Sequence, residues 1–150
     1  MTPDQIIKYI ENGIVIDHLP PGIAWKVAEI LKLNDNREGR VSLGDNHTSK
    51  RDRGKKSFLK IEGGSLSSYE INLIALVAPS ATLNIIRGGV VQEKKSLLLP
   101  DVLRGIIRCP NYNCVSNQER EKLLPVIYCK ENKFLCHYCR QGFFRNEVSI

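Results

Sequence analysis

The sequence lacks the long apolar run that a membrane-spanning helix requires. Hydrophobic residues make up 42% of the 150 residues, but no run of them approaches the roughly 20 residues that cross a bilayer. The first five residues, MTPDQ, carry no basic segment, and no apolar segment follows them, unlike a secretory signal. We therefore expect a cytoplasmic protein without a membrane span.

Histidine is also scarce, and this bears on catalysis. The chain has three histidines, His18, His47 and His137, and no motif places a nucleophile beside any of them. The segment RGKKS at residues 53–57 faintly resembles a phosphate-binding loop. The Walker motif, however, needs glycine at position 49, where the chain has Ser49, and Ser or Thr directly after its lysine. The sequence thus predicts a chain that is not an enzyme by itself.

Acidic residues are fewer than basic ones. The chain has 22 Lys and Arg against 16 Asp and Glu, a formal net charge of +6, which favours anionic partners such as nucleotides or nucleic acids. Much of the excess lies in the segment KRDRGKK at residues 50–56, which we predict to be a loop. A solvated loop is the simplest interpretation, and a nucleic-acid contact is the alternative.

Cysteine, in contrast, is concentrated near one end of the chain. Cys109 and Cys114 form a Cys-x4-Cys pair, and Cys136 and Cys139 form a Cys-x2-Cys pair, a spacing typical of a structural zinc site. Four thiolates fill the tetrahedron of zinc and leave no position for a reactive water, so the ion would not be catalytic. Buried free cysteines or a redox pair are the alternatives.

Two residues near the pairs need separate interpretation. His137 lies between Cys136 and Cys139 and could replace one of them, although that pair already supplies two ligands. Cys129 lies outside both pairs in a predicted strand, where a free cysteine packs as a small hydrophobe. We therefore predict one structural Zn²⁺ per chain, held by the four paired cysteines.

The first hundred residues alternate short apolar runs with two amphipathic segments. Ser67 and Glu70 form a capping box that begins the second helix, and Pro79 ends it. The predicted elements are a strand at 14–16, a helix at 23–31, strands at 41–43 and 58–61, the capped helix, and strands at 82–86 and 90–94. This is the split βαβ, ferredoxin-like order, and it predicts an α+β fold with both helices on one face of an antiparallel sheet. The other face would be open to a ligand or partner.

Pro100 marks the predicted boundary between two domains, 1–99 and 100–150. Beyond it, short strands at 105–108, 126–129, 133–135 and 142–144 alternate with turns. A domain of this size buries little core, so a bound metal is the expected source of its stability. We therefore predict a small all-β, zinc-binding second domain.

Polar residues in the predicted strands of the first domain could together form an anion site. Lys60 lies between two apolar residues, and the period of two along a strand puts its side chain on the open face. The same count puts Asn84 on that face, while Lys94 ends the last strand and Asp17 and His18 end the first. Lysines suit phosphates and a carboxylate suits a ribose hydroxyl. Each residue alone is more simply a solvated surface group, so only the combination predicts a ligand site.

Five short segments, in order along nearly the whole chain, carry a family resemblance. They are GIVIDHLP at 13–20, KIE at 60–62, APSATLN at 78–84, CPNYNC at 109–114 and CHYC at 136–139. The cysteine spacing is shared by many zinc modules, whereas the IDHLP element combined with CPNxNC is specific. With these segments the chain resembles the regulatory chains of aspartate carbamoyltransferase.

The resemblance implies a ferredoxin-like allosteric domain that binds CTP or ATP and a zinc domain that binds the catalytic chain. It also implies a dimer of regulatory chains that controls the first committed step of pyrimidine biosynthesis. Effector-binding residues implied in this way are Asp17, His18, Lys56, Lys60, Asn84 and Lys94. Lys94 and His18 would contact phosphate oxygens, Asp17 and Lys60 the ribose and base. Asn111 and Asn113 would contact the catalytic chain.

Three positions depart from the family pattern, and two other functions stay open. Lys8 replaces an acidic residue, Gly89 an aromatic that flanks the base, and Arg140 a glutamate that binds the catalytic chain. These positions bear on base selectivity and on the charges of the interface. The open alternatives are a zinc-ribbon protein that binds nucleic acid through residues 50–56 and a nucleotide sensor without an enzyme partner.

Overall fold

The structure, a computed structural model, describes residues 10–33, 39–49 and 54–148, and of residues 46–49 it describes only the backbone. Lys8 and most of the predicted basic loop, residues 50–53, lie outside these ranges. The chain divides into two compact units, Met1–Leu98 and Leu99–Ile150. Within the described ranges, no helix has the length and apolar character needed to cross a membrane.

The first unit is a five-stranded antiparallel sheet with two helices. Its elements are β1 (Gly13–Leu19), α1 (Ile23–Ile30), β2 (Val41–Ser49), β3 (Gly54–Glu62), α2 (Ser68–Val77), β4 (Thr82–Arg87) and β5 (Val90–Ser96). The strands pair in the order β2-β3-β1-β4-β5, and every neighbouring pair is antiparallel. This is the ferredoxin-like arrangement with one added edge strand, and it confirms the predicted fold class.

The apolar core of this unit lies between the sheet and the helices. Ile16 on β1 pairs with Leu59 on β3 and Leu83 on β4, and all three side chains are almost fully buried. The helices contribute Val27 and Ile74, which are also fully buried. Each such side chain contributes about 1.5–3 kcal/mol. Because α1 and α2 also contact each other, they cover one face of the sheet and leave the other open.

Two structures predicted from short sequence motifs are present, a helix cap and a hairpin turn. The Ser67 Oγ accepts the Glu70 N–H at 3.1 Å, and the Glu70 carboxylate accepts the Ser67 N–H at 3.0 Å, so the capping box of α2 is confirmed. Gly88 and Gly89 turn the β4–β5 hairpin with φ of 62° and 78°, in the left-handed region that glycine enters without a Cβ clash.

The strands β2 and β3 are longer than predicted. Each has nine residues, so residues 54–56, predicted as part of a loop, are the first residues of β3. Thr48 pairs with Lys55 and His47 with Lys56 across the two strands. Glycine and lysine have low strand propensity, which favoured the loop. The prediction was wrong because pairing with a neighbouring strand overrides that preference.

The second unit is a four-stranded antiparallel sheet. Its strands, which pair in chain order, are β6 (Val102–Arg104), β7 (Val126–Lys130), β8 (Lys133–Cys136) and β9 (Gly142–Phe144). An all-strand second unit was predicted, but its first strand at 105–108 was not correct. Gly105 has a φ of 71°, which turns the backbone out of the extended conformation, although its N–H still donates to the Pro125 carbonyl at 2.8 Å. The strand therefore ends at Arg104.

Few apolar side chains form the core of the second unit. Leu103, Ile127 and Phe134 are at most 1% exposed, and the Phe134 and Phe143 rings pack 5.5 Å apart between centroids. A core of this size supplies little stability by itself, so a further cross-link is needed to hold the fold.

Candidate metal centre and effector site

Two turns of the second unit bring four cysteines together. Cys109 and Cys114 enclose the first turn, while Cys136 ends β8 and Cys139 lies in the turn that follows it. All four Sγ atoms lie within 4.8 Å of one another, and the pairs Cys109–Cys139 and Cys114–Cys136 are 3.7 Å apart. Four sulfurs about 2.3 Å from a tetrahedral ion would lie about 3.8 Å apart. The cluster therefore fits a metal ion and excludes a disulfide, whose S–S bond is about 2.05 Å.

The cluster needs a cation to hold its thiolates. Burial is the main cause that raises the pKa of the Cys109 thiol far above its ordinary 9.0, and it raises the pKa of Cys136 as well. Burial also raises the pKa of Cys139, but the Gln141 N–H and the Asn111 side chain outweigh it and bring that pKa to about 7. A divalent cation between the sulfurs would displace the remaining protons.

Polar side chains hold the first cysteine turn in shape. The Asn111 Oδ1 accepts the Asn113 N–H at 3.1 Å. The Asn117 amide donates to the carbonyl oxygens of Cys109 and Asn111 at 2.9 and 2.8 Å. Such outer contacts orient metal ligands. Asn111 is half-buried in the turn, whereas Asn113 is exposed, so the two residues predicted to contact a catalytic chain differ in accessibility.

Sequence reasoning missed Ser116 as a partner of the cluster. Its Oγ lies 3.0 Å from the Sγ of Cys114, a distance at which the hydroxyl can donate to a thiolate. Cys114 itself is 1% exposed, so water cannot easily supply this hydrogen bond. The sequence could have indicated this contact, because Ser116 follows Cys114 by two residues and a turn at that point folds the hydroxyl back towards the sulfur.

His137 and Cys129 both lie apart from the cysteine cluster. The His137 Nδ1 is 2.6 Å from the Tyr128 hydroxyl, and the imidazole packs edge-on against Tyr138. Cys129 is half-buried, and burial is the main cause that raises the pKa of its thiol to about 11. Burial agrees with a packing role for Cys129, and the four paired cysteines are the candidate metal ligands.

A row of polar residues crosses the open face of the first unit. Lys60 on β3 and Asn84 on β4 both pair with Val15 on β1, and Lys94 on β5 pairs with Asn84. Paired residues on antiparallel strands project from the same face. The register therefore brings three of the six predicted effector residues into one line, and the Asn84 amide donates to the Val15 carbonyl at 3.4 Å.

The other three predicted residues form a group at the end of β1. Lys56 Nζ lies 3.0 Å from the Asp17 Oδ1, with side chains 16% and 28% exposed. The pairing of β1 with β3 shifts between Ile16 and Leu19, and within this bulge His18 has a φ of 59°. A left-handed non-glycine residue costs about 1–3 kcal/mol and often marks a functional position. The bulge places the His18 imidazole 3.8 Å from the second Asp17 oxygen.

The carboxyl group of Asp17 is poised to stay ionised. Partial burial raises its pKa, but the His18 N–H, at 2.8 Å, and the Lys56 ammonium together lower that pKa below the ordinary 3.8. A carboxylate that accepts two donors in a half-buried position has a fixed orientation. It can therefore accept a further hydrogen bond from a ligand hydroxyl.

Two neighbours of the lysines support the group without having been predicted. The fully buried Ser57 accepts the Ala24 N–H at 3.2 Å and donates to the Pro20 carbonyl at 2.7 Å, which fixes the start of α1 beside β3. The Phe58 ring lies 5.2 Å from the Lys60 Nζ. It covers Gly44, where a Cβ would lie 2.2 Å from the ring. The period of two along β3 could have placed Phe58 on the face of Lys60.

Comparison with known proteins identifies the family of the chain. The family model described as "Aspartate carbamoyltransferase regulatory chain, allosteric domain" matches residues 5–98, and the one described as the "metal binding domain" of the same chain matches residues 101–149. The aspartate carbamoyltransferase regulatory chain of Ignicoccus hospitalis is 42% identical over 146 residues, covering 95% of this chain and 93% of the relative. That of Pyrococcus abyssi is 44% identical over 144 residues, covering 95% and 94%.

A third relative, the regulatory chain of Caldivirga maquilingensis, is 44% identical over 139 residues, covering 91% of this chain and 84% of the relative. All three relatives are named as regulatory chains, which confirms that this chain is regulatory and not catalytic. The matched segments coincide with the open-faced sheet and the cysteine cluster. The chain therefore belongs to the family of aspartate carbamoyltransferase regulatory chains, with an allosteric and a metal-binding domain.

Proposed function

We propose that the first unit, residues 1–99 in the predicted division, binds the nucleotide effectors CTP and ATP. We propose that residues 100–150 bind a structural Zn²⁺ and the catalytic chains of aspartate carbamoyltransferase. The subunit would thereby control the first committed step of pyrimidine biosynthesis. The row of Lys60, Asn84 and Lys94, next to the Lys56–Asp17 pair, is the observation that supports effector binding most directly.

The proposed effector site assigns one task to each kind of side chain. Lys94 and His18 bind phosphate oxygens, with Lys56 close by as a further cation. The Asp17 carboxylate accepts a ribose hydroxyl and the Lys60 ammonium lies near the ribose and base, since a lysine is a compact charge with three donors. The Asn84 amide can donate and accept, which suits the edge of a base.

Calorimetry of the metal-loaded chain with CTP and ATP tests the effector site. Lys60→Ala and Lys94→Ala each remove a charged contact worth about 1.5–3 kcal/mol, so we expect about 10- to 100-fold weaker binding. Lys130→Ala, on β7 of the second unit, removes the same charge elsewhere and should leave the affinity unchanged. Equal affinity in all four proteins would refute the site.

Zinc is the metal that the cysteine cluster suits best. Four thiolates at tetrahedral spacing are the usual ligand set of a structural zinc, and iron bound to four cysteines is the main competitor. Elemental analysis of the purified chain should give one zinc per chain, and Cys129→Ser should retain it while Cys114→Ser loses it. Iron at equal occupancy would contradict the assignment.

Assembly of the subunit is part of the same proposal. A dimer of regulatory chains would cover an edge of the first sheet, and on the edge strand β5 Val90 and Val91 are 65% and 55% exposed. Cysteines that cluster at metal-ligand spacing, and not in disulfide pairs, suit the reducing cytoplasm. Size-exclusion chromatography with purified catalytic chains tests the complex and the dimer. If the regulatory and catalytic chains never co-elute, the proposed complex is wrong. If the regulatory chain alone elutes only as a monomer, the proposed dimer is wrong.

The structure offers less support for nucleic-acid binding. Lys56 is paired with Asp17 inside the proposed effector site and is only 16% exposed, so it does not present a free surface charge to a long nucleic-acid backbone. A gel shift at about 50 mM salt, where such electrostatic binding is strong, checks this alternative. We expect no shifted band with DNA or RNA.

A further inference from the structure

An aromatic side chain lies between two of the candidate effector lysines. Along β3, Lys56, Phe58 and Lys60 alternate with side chains that are fully buried. Because the side chains of a strand alternate between its two faces, both lysines and the phenyl ring project from the open face of the sheet. A ligand that reaches both lysines would therefore lie beside this ring.

The two lysines are held by different kinds of partner. Lys56 Nζ lies 3.0 Å from a carboxylate oxygen of Asp17, which compensates its charge. Lys60 Nζ lies 5.2 Å from the centroid of the Phe58 ring, within the distance at which the face of an aromatic ring attracts a cation. The ring is neutral, so it holds the Lys60 ammonium without adding a negative charge next to it.

The Lys60 side chain is nearly buried beside the ring. It belongs to a residue that is only 9% exposed, although lysine is mostly exposed in folded proteins. Where water is excluded, the attraction between an ammonium and a ligand acceptor is stronger. A lysine that is already ordered also loses less conformational entropy when a ligand binds. The contact with the ring therefore prepares this ammonium for binding.

A glycine on the neighbouring strand makes room for the ring. Gly44 on β2 pairs with Phe58 on β3, and a Cβ at position 44 would overlap the Cε1 and Cζ atoms of the ring. Any larger residue at this position would therefore displace the ring. The position of the ring can thus be perturbed without a change in either Phe58 or Lys60.

We propose that Phe58 is a positioning residue of the effector site, whose ring, seated against Gly44, holds the Lys60 ammonium towards the ribose and base of the nucleotide. The inference rests on the proposed effector binding and adds a residue outside the predicted set. Because the ring acts through Lys60, its loss should weaken binding only while that lysine is present. A ring that stacked on the base would act on its own.

Calorimetry of the metal-loaded chain with CTP and ATP measures the effect. Phe58→Leu keeps an apolar side chain without an aromatic face, and we expect about 3- to 30-fold weaker binding. Gly44→Ala displaces the ring and should give a loss of similar size. In the Lys60→Ala background, Phe58→Leu should cause no further loss. Phe144→Leu removes the same ring from β9 of the second unit and should bind as the parent does.

NMR of the chain with isotope-labelled lysine reports the contact itself. The ring should shift the ε-methylene signal of Lys60, which is assigned by its absence in Lys60→Arg. Phe58→Leu and Gly44→Ala should both return that signal towards those of the other lysines. Urea denaturation of each variant shows that the first unit is folded under the conditions of both measurements.

The results that would overturn the inference differ from those that would overturn the effector site. Parent-like affinity of both Phe58→Leu and Gly44→Ala contradicts a positioning role, as does an unshifted Lys60 signal in the parent. An undiminished loss for Phe58→Leu in the Lys60→Ala background also contradicts it, because the ring would then act without the lysine. A parent chain that binds neither nucleotide overturns the proposed effector site itself.

Discussion

The two units of this chain differ in how they bring their candidate functional residues together. In the second unit, each cysteine pair is separated by two or four residues, and a local turn brings its two sulfurs together. In the first unit, the candidate effector residues extend from Asp17 to Lys94, and only the strand register brings them together. The candidate site of the second unit can therefore be predicted from the spacing of its cysteines, whereas that of the first unit depends on how the strands of the sheet pair.

The units also differ in what stabilises them. The first has an apolar core formed by β1, β3, β4 and both helices, which includes Ile16, Leu59, Ile74 and Leu83. The second has a small core and four cysteine thiols placed close enough together to bind one metal ion. Perturbations directed at the metal and at the core should therefore affect different units.

Metal removal should give the largest effect. A structural zinc supplies about 10–16 kcal/mol of apparent binding free energy, so chelation should unfold the second unit and leave the first folded. Hydrogen exchange read by mass spectrometry should show fast exchange in β6–β9 and retained protection in β1, β3 and β4. Equal loss of protection in both units would break the comparison, and zinc added back should restore the original pattern.

Truncation of the first core should give the next largest effect. Ile16 is fully buried between Leu59 and Leu83, so Ile16→Ala should lower the free energy of unfolding of the first unit by about 2–5 kcal/mol. Urea denaturation measures the change, and zinc content should stay at the parent value. Ile16→Val is the matched control, with an expected loss of about 0.5–1.5 kcal/mol.

Loss of the Ser116 hydroxyl should have a smaller effect than truncation of the core, and it should lower the affinity of the chain for its metal. Ser116→Ala removes the hydrogen bond to the Cys114 sulfur, and loss of such an outer contact typically lowers metal affinity 10- to 100-fold. Competition with a chromophoric chelator gives the affinity, and the charge-transfer band of the cobalt-substituted chain should shift as the sulfur loses its donor. Ser116→Thr keeps the hydroxyl and should behave as the parent; an unshifted band in Ser116→Ala would show that no such bond forms.

The smallest expected effect is the pH dependence of the Asp17–Lys56 pair. The folded pKa of Asp17 lies below its ordinary value of 3.8, so ionisation stabilises the fold above that pH, and the contribution is lost as pH falls through the lower folded pKa. A partly exposed pair contributes about 0.2–1 kcal/mol. Urea midpoints between pH 6 and pH 2 should fall less steeply for Asp17→Asn than for the parent, and parallel curves would contradict the coupling.

Local chemistry made some elements predictable. The capping box at Ser67 and Glu70, the Gly88–Gly89 turn and the cysteine pairs each act within a few residues, and each was found as predicted. Predictions failed at two places. Residues 54–56 join β3 because β2 pairs with them. The chain leaves the second sheet at Gly105, whose φ of 71° lies outside the extended region.

The candidate metal ligands, the α+β class and the capped helix follow from the sequence alone, because ligand spacing, hydrophobic period and capping are properties of short segments. The pairing of Lys56 with Asp17 and the bulge at His18 become visible only in the folded chain. These depend on strand register and on turns that meet across many residues. The physical reason is that burial of one sheet face sets the register, and the register then sets which polar groups become neighbours.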